Sequence, residues 1–485
     1  MSSLLKGGRL CAANKNVTNF ISSFEDDTRI AQSTILINEA HVIALTKAHV
    51  IPRDKARKIL KALRQLEGQK MAKRQLEDVH VFIEERVIKD TGPNIGGLVN
   101  LGKSRNDQVT TAIRMTLREE ILELFNNLLS LEETMLRLAE NHTETVFPGY
   151  THLQPAQPIS FGHYLVANVD SLLRNSHRIM EAYRRINRSP MGAAALAGTS
   201  FRLNRNLIAS LLGFNGLIET SLDAVGGRDF VLETLCVCAL IASDISRIAQ
   251  DLILYSSAEM SLITLPDEFT STSSIMPQKK NPDPLELVRA KCARTVGNLS
   301  GASMVLHGLP SGYNLDFQEI TPLSWQSIDE LESCLQILTE LIPKIEVDKE
   351  IAVRQYLEFT AATEIANVLV REEGIQFRLA HRVVGSAVRS ALRQSKTLKN
   401  LNRKDWEGHL HRRIKARTIS LMMRALDLKA HLLTYQTKGS PNPRGMKTVI
   451  LRRKRDCTAL REESSKLHQS IRKSLQALST AISKI

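Results

Sequence analysis

The chain predicts an all-α fold, and three observations carry that reading. Apolar residues recur at three- and four-residue spacing through most of the sequence, as amphipathic helices require. Two long stretches, 103–147 and 228–265, contain neither Gly nor Pro. Strictly alternating apolar and polar runs, the mark of half-buried strands, are scarce.

In chain order, the segment before residue 103 reads as a smaller helical region. Residues 103–147 and 228–265 stay helix-compatible throughout; helices of about 30 residues span roughly 45 Å, longer than a compact domain needs. A third helix is expected over 159–188, after Pro155 and Pro158, which suit a helix start and not its interior. A further pair is expected from 284 to 306 and from 322 into the 340s. Residues 440–445, with Pro441 and Pro443, read as a turn. Long amphipathic helices need partners along their length, which implies a bundle, often completed by other subunits. The expected division is an N-terminal helical domain over 1–103, a central long-helix bundle over 104–352 and a C-terminal helical domain over 353–485.

With 485 residues, 43% hydrophobic and 24% charged, the composition is globular and long enough for two or three domains. Residues 1–8 lack the apolar core of a secretory signal, and no apolar run approaches the roughly 20 residues that cross a bilayer. A soluble, cytoplasmic protein without membrane contact is therefore expected. Six scattered cysteines, including Cys11, Cys236 and Cys238, form no C-x-x-C pair, so reduced thiols are expected and no metal site. The formal charge of +14 concentrates in 396–457, which holds 17 Lys or Arg against 4 Asp or Glu. Few aromatics interleave there, so a solvated basic face that concentrates anions is favoured over nucleic-acid binding.

Polar clusters interrupt the helical pattern at expected helix ends, where unpaired backbone groups can bind ligands. Glu77-Asp78-Val79-His80 is the first. Ser104-Arg105-Asn106-Asp107-Gln108 gathers hydroxyl, guanidinium and amide donors at a helix start; Arg105 offers a bidentate fork for carboxylates, although Ser104 or Asn106 would also serve as an ordinary cap. His152 follows Thr151 and precedes a proline-bracketed pair, Gln154 and Gln157, a polar setting for a general acid or base. The run 270–283 combines hydroxyl residues, Lys279, Lys280 and Asn281, which fits removal of a proton and stabilisation of the resulting anion. Residues 192–198 (Gly-Ala-Ala-Ala-Leu-Ala-Gly) permit close backbone approach, for a packing turn or a ligand alike. A segment from Tyr313 to Glu319 is a fifth candidate.

Ser273-Ser274-Ile275-Met276-Pro277-Gln278-Lys279-Lys280-Asn281-Pro282 resembles the signature of the fumarase and aspartase superfamily, in the form typical of argininosuccinate lyases. The clusters at 77–80, 104–108, 151–158 and 192–200 are similar to motifs of the same family, and the resemblance runs from Gly7-Gly8-Arg9 to Pro441. It implies a helical homotetramer with active sites shared between subunits, and elimination of argininosuccinate to arginine and fumarate without metal or organic cofactor. By this resemblance Ser273 is the general base, Lys279 and Asn281 bind the carboxylate beside the departing proton, and His152, oriented by Glu286, assists the leaving nitrogen. Ser104, Arg105, Asn106, Thr151, Tyr313 and Gln318 match substrate-holding positions, and His80 a further polar residue near the site. The chain departs from the pattern at Thr272, where Gly is usual, at Leu315 and Thr321, where lysines are usual, and at Asn38, where a serine is common. These departures leave two alternatives: a lyase for a related N-substituted succinate or aspartate, and a non-catalytic, crystallin-like relative.

Overall fold

The computed structural model describes residues 14–69, 76–348 and 350–485. The segment 1–8, the Gly7-Gly8-Arg9 match and Cys11 lie outside the described residues. Helices of eight residues or more are numbered α1 to α13 below.

Three helices precede the bundle: α1 (Ala31–Lys47), α2 (Arg53–Arg64) and α3 (Val79–Thr91). Helix α1 is buried on nearly every side, from Ile35 through Thr46 with only Leu36 partly exposed, its polar Asn38, Glu39 and His41 included. The bundle consists of α4 (Arg105–Asn141), α5 (Phe161–Ile186), α6 (Asp229–Tyr255), α7 (Asp283–Leu306) and α8 (Thr321–Leu341). Helix α4 packs against α5 and α8, and α6 against α5, α7 and α8. Its 37 residues amount to roughly 55 Å of rod. Leu117, Ile121, Leu124, Leu128, Leu131, Met135 and Leu138 of α4 are all buried, three or four apart, so one stripe faces the core along the whole helix.

The helix expected over 103–147 ends at Asn141, and the chain then forms a hairpin, β1 (Val146–Thr151) paired antiparallel with β2 (Gln154–Ser160). Thr143, Thr145 and Val146 lose side-chain freedom in a helix, which favours exit there. His152 and Leu153, at φ +53° and +57°, make the two-residue tip, the geometry that matches strand twist in tight hairpins. The segment around His152 is thus a strand pair rather than an irregular loop. Pro148 stands opposite Pro158; in a two-stranded ribbon each strand has a free edge, so missing N–H groups are tolerated. Helix α6 likewise stops at Tyr255, short of residue 265, and the chain passes into a short strand at Ile263–Thr264.

The C-terminal part contains α9 (Ala362–Glu373), α10 (Phe377–Arg393), α11 (Arg403–Leu410), α12 (Ala416–Leu426) and α13 (Pro443–Ser483). Helix α13, at 41 residues, was not among the long segments singled out from the sequence. The turn expected at 440–445 is its start: Asn442 Oδ1 accepts from the Arg444 amide at 3.0 Å and Pro443 takes the first helical position, where a missing N–H costs nothing. Buried Cys457, Leu460, Ser464, Ile471 and Leu478 seat α13, which packs against α1, α4 and α5.

Candidate functional site

The first turn of α4 faces the start of α3. Asp78 caps α3, its Oδ1 accepting from the Val81 amide at 2.7 Å. Its other oxygen accepts from Arg105 Nη1, which also lies 3.5 Å from Glu77. Burial opposes the charge on Arg105, but the Asp78 and Glu77 carboxylates outweigh it and hold the guanidinium protonated. His80 is buried with both ring nitrogens unpartnered, and burial pushes it down to about 4. Lys103 donates to Asn38 Oδ1, and burial pulls its ammonium down to about 8.

Across from Arg105 comes the segment before α8. Tyr313 packs edge-on against Phe317 at 5.6 Å, and Gln318 Nε2 donates to the Ile21 carbonyl at 3.3 Å. Behind them Arg228 is buried with its guanidinium 4.4 Å over the Phe317 ring, and burial pulls it down to about 10. A cavity of about 90 Å³ is lined by Asp27, His80, Arg105, Asn106, Tyr313 and Gln318, among others. Ser23 and Asp27 belong to it and were not singled out from the sequence. Ser23 Oγ donates to Asp27 Oδ2 at 2.7 Å, and burial pushes the Asp27 carboxyl up to about 7. The available signal was a hydroxyl residue followed four positions on by an acid, which in isolation reads as helix capping.

One departure lines the same cavity and a second follows it at the start of α8. Leu315 lines it and is 48% exposed. The Thr321 hydroxyl, on the first residue of α8, donates back to the Phe317 carbonyl at 3.3 Å.

The loop of 271–281 is a second group. Its ends are joined by an antiparallel bridge, Ser271 N to Asn281 O at 3.1 Å and Asn281 N to Ser271 O at 2.7 Å. Ser273 Oγ accepts the amides of Ile275 and Met276, each at 3.3 Å. Thr272 Oγ1 donates to the Met276 carbonyl at 3.4 Å. The adjacent lysines differ: Lys280 donates to the Leu265 carbonyl and to Asp267, both at 2.6 Å, whereas Lys279 is exposed with no side-chain partner among the described residues. Glu286 is exposed in the first turn of α7. Ile275, 83% exposed, stands at the loop's outer edge.

Thr151 and His152, both exposed at the hairpin tip, form the third group. Aromatic packing fixes the hairpin base: Phe147 meets Tyr255 of α6 at 5.1 Å and Phe161 of α5 at 5.2 Å. The fold therefore gathers His80, Ser104, Arg105, Asn106, Tyr313 and Gln318 at one end of α4. Among the described residues, no hydrogen bond or ion pair joins that group to the Ser273 loop or to His152.

The chain has known counterparts. A family profile described as "Lyase" matches residues 8–297. The solved structure of EDDS lyase in complex with formate superposes with a TM-score of 0.88 at 30% identity, over 94% of this chain and 92% of that one. Class II fumarase from Schistosoma mansoni shares the fold, with a TM-score of 0.70 at 19% identity, over 83% and 91% of the two chains. The class is thus a lyase of the all-α, long-helix type. A second profile, described as "Argininosuccinate lyase C-terminal", matches 359–431. Argininosuccinate lyase of Methanosarcina mazei is 37% identical over 99% of each chain, and that of Methanothrix thermoacetophila 39% identical over 99% of each. The chain belongs to the argininosuccinate lyase family.

Proposed function

We propose that the chain cleaves argininosuccinate to arginine and fumarate, in cytoplasmic arginine biosynthesis, as a homotetramer without metal or organic cofactor. The observation that carries the activity is the family's full-length similarity together with an intact Ser273, His152, Lys279 and Asn281.

The reaction removes a weakly acidic proton beside a carboxylate. Ser273 Oγ takes it, the electron pair forms the new carbon–carbon double bond, and the guanidino nitrogen leaves with a proton from His152. Ser273 acts as its alkoxide, and the two amides directed at Ser273 Oγ stabilise the negative charge that it carries until it takes the proton. Lys279 and Asn281 hold the carboxylate as it becomes a dianion; Lys279 is the cation with its donors free, Lys280 being tied to Leu265 and Asp267. Arg105, Asn106, Ser104, Tyr313, Gln318 and Thr151 hold the rest of the substrate, His80 stands neutral beside them, and Glu286 orients His152.

Assembly follows from two features. Among the described residues no hydrogen bond or ion pair joins the three residue groups within one chain, which supports a site completed by other chains. Leu240 of α6 and Leu287, Val296 and Met304 of α7 are exposed beside Ala290, Ala293 and Gly297, an apolar face with small residues that allow close helix packing. Burying such a face is favourable by about 25 cal/mol per Å².

Following fumarate absorbance with purified protein and argininosuccinate tests the activity; no signal would sink it. A second reading, a lyase for another N-substituted succinate, draws on Leu315 and on Thr321 turned back to Phe317, two positions that carry no cation. Fumarate release from such a compound, and none from argininosuccinate, would establish it.

A further inference from the structure

The geometry points to Asp107 as a positioning residue: it clamps the strained loop of 192–198 onto the first turn of α4, and through that loop fixes the side chain of Asn106. This rests on the function proposed above.

Asp107 is completely buried, and its carboxylate accepts three backbone amides. Oδ1 takes Ser104 N at 3.0 Å, closing the cap of α4. Oδ2 takes Gly192 N at 3.0 Å and Ala194 N at 2.9 Å. Two converging amides around one oxygen form an anion-binding concavity, here filled by a side chain 85 residues earlier in sequence.

The loop needs such a hold. Ala194 has φ +51°, a left-handed conformation that costs an alanine about 1–2 kcal/mol and persists only where the surroundings over-determine it. Gly192, at φ +88°, admits no side chain, since an added Cβ would lie 2.7 Å from Arg205 Cγ. Beyond this anchored stretch the tip, residues 195–197, is exposed. There the Ala195 carbonyl accepts from Asn106 Nδ2 at 3.1 Å. That bond sets which way the Asn106 amide faces, and Asn106 lines the cavity with Arg105 and Tyr313. Asp107 itself does not line it. The connection therefore runs from Asp107 to the loop amides, from the loop to the Ala195 carbonyl, and from there to the amide that meets substrate.

The test is a double-mutant cycle on argininosuccinate turnover. Asp107→Ala is expected to raise KM and lower kcat/KM by about 100-fold, the scale of a misplaced site group, and Asn106→Ala to do the same. The double variant should be no worse than either single variant, and Asp107→Asn, which keeps an oxygen for the loop amides, should restore most of the loss. Additive losses, an unchanged KM in Asp107→Ala, or an Asp107→Asn variant as damaged as Asp107→Ala would each overturn the assignment. If Asp107→Ala does not fold, Asp107→Ser takes its place in the cycle. Amide hydrogen exchange of the ligand-free protein supplies a readout independent of turnover: exchange at 192–195 should accelerate in Asp107→Ala or its replacement, and unchanged exchange would also overturn the clamp. A wild type that releases no fumarate, with accelerated exchange in the variant, would defeat the proposed activity and leave the clamp standing.

Discussion

Ser273, Lys279 and Lys280 separate by what their atoms already touch. Ser273→Ala removes the oxygen on which two amides converge; fumarate release should fall by at least about 1000-fold, as for loss of an essential proton-transfer group, while light scattering shows the wild-type mass. Lys279→Met should lower kcat by about 100-fold or more, in the range found when a donor to a developing oxyanion is lost. Lys280→Met should cost far less turnover and act instead through loss of its bonds to Leu265 and Asp267. Equal losses in both variants would refute the distinction. The lysine pair was legible in the sequence, but its division of labour was not, because adjacent residues of one type differ only in their surroundings. The same holds for Ser23 and Asp27: a short hydroxyl–acid spacing is common at helix starts, and only Arg105, Tyr313 and Gln318 arriving from distant segments make it part of a cavity.

Helix α4 carries a second buried acid whose consequence lies in helix packing. Glu132 is fully buried, accepting from Ser176 Oγ of α5 at 2.8 Å, with Cys457 Sγ of α13 at 3.6 Å. Burial pushes its carboxyl from 4.5 up to about 8. Between those values the folded chain keeps a proton that the unfolded chain has released, so this residue's contribution to stability declines as pH rises from 4.5 to 8 and changes no further above. Glu132→Gln lacks that decline. Its Tm minus that of wild type should grow from pH 5 to pH 8; a constant difference would refute the assignment. The bundle helices were legible because a repeated three-and-four spacing is a local property. The hairpin was hidden because prolines and polar residues gave no alternation, and its two left-handed tip residues, His152 and Leu153, carry no glycine to mark the turn. Helix α13 was missed although residues 446–485 also lack Gly and Pro; its dense charge reads as a solvated face until Cys457, Leu460 and Ile471 are seen against the bundle.

In the proposed function, assembly brings the three residue groups into one site. If the proposed homotetramer holds, Leu287→Asp with Met304→Asp should lower the mass on light scattering and abolish turnover together with assembly; an active monomer would refute shared sites. Mixing inactive Ser273→Ala and His152→Asn subunits after joint refolding should restore part of the activity, since some sites then draw both intact groups from different chains. The basic segment of 396–457 is tied into the fold by ion pairs. Several of its cations neutralise acids of other segments: Lys399 with Glu358 at 3.0 Å, Arg412 with Glu373 at 3.1 Å and Lys454 with Glu140 at 2.6 Å. Glu358 and Glu373 are largely covered while their partner cations stay partly exposed, so these pairs hold part of that charge against the fold's own surface.

The sequence by itself determined the helical class, the presence of long bundle helices and the residue types gathered in each cluster, because side-chain type and periodicity are properties of neighbouring residues. The tertiary structure decided which clusters share a cavity, that among the described residues Lys280 has side-chain partners and Lys279 has none, and that Asp107 reaches across to Gly192 and Ala194. Those depend on which distant backbone groups arrive beside a side chain, and burial and packing set that rather than the order of residues along the chain.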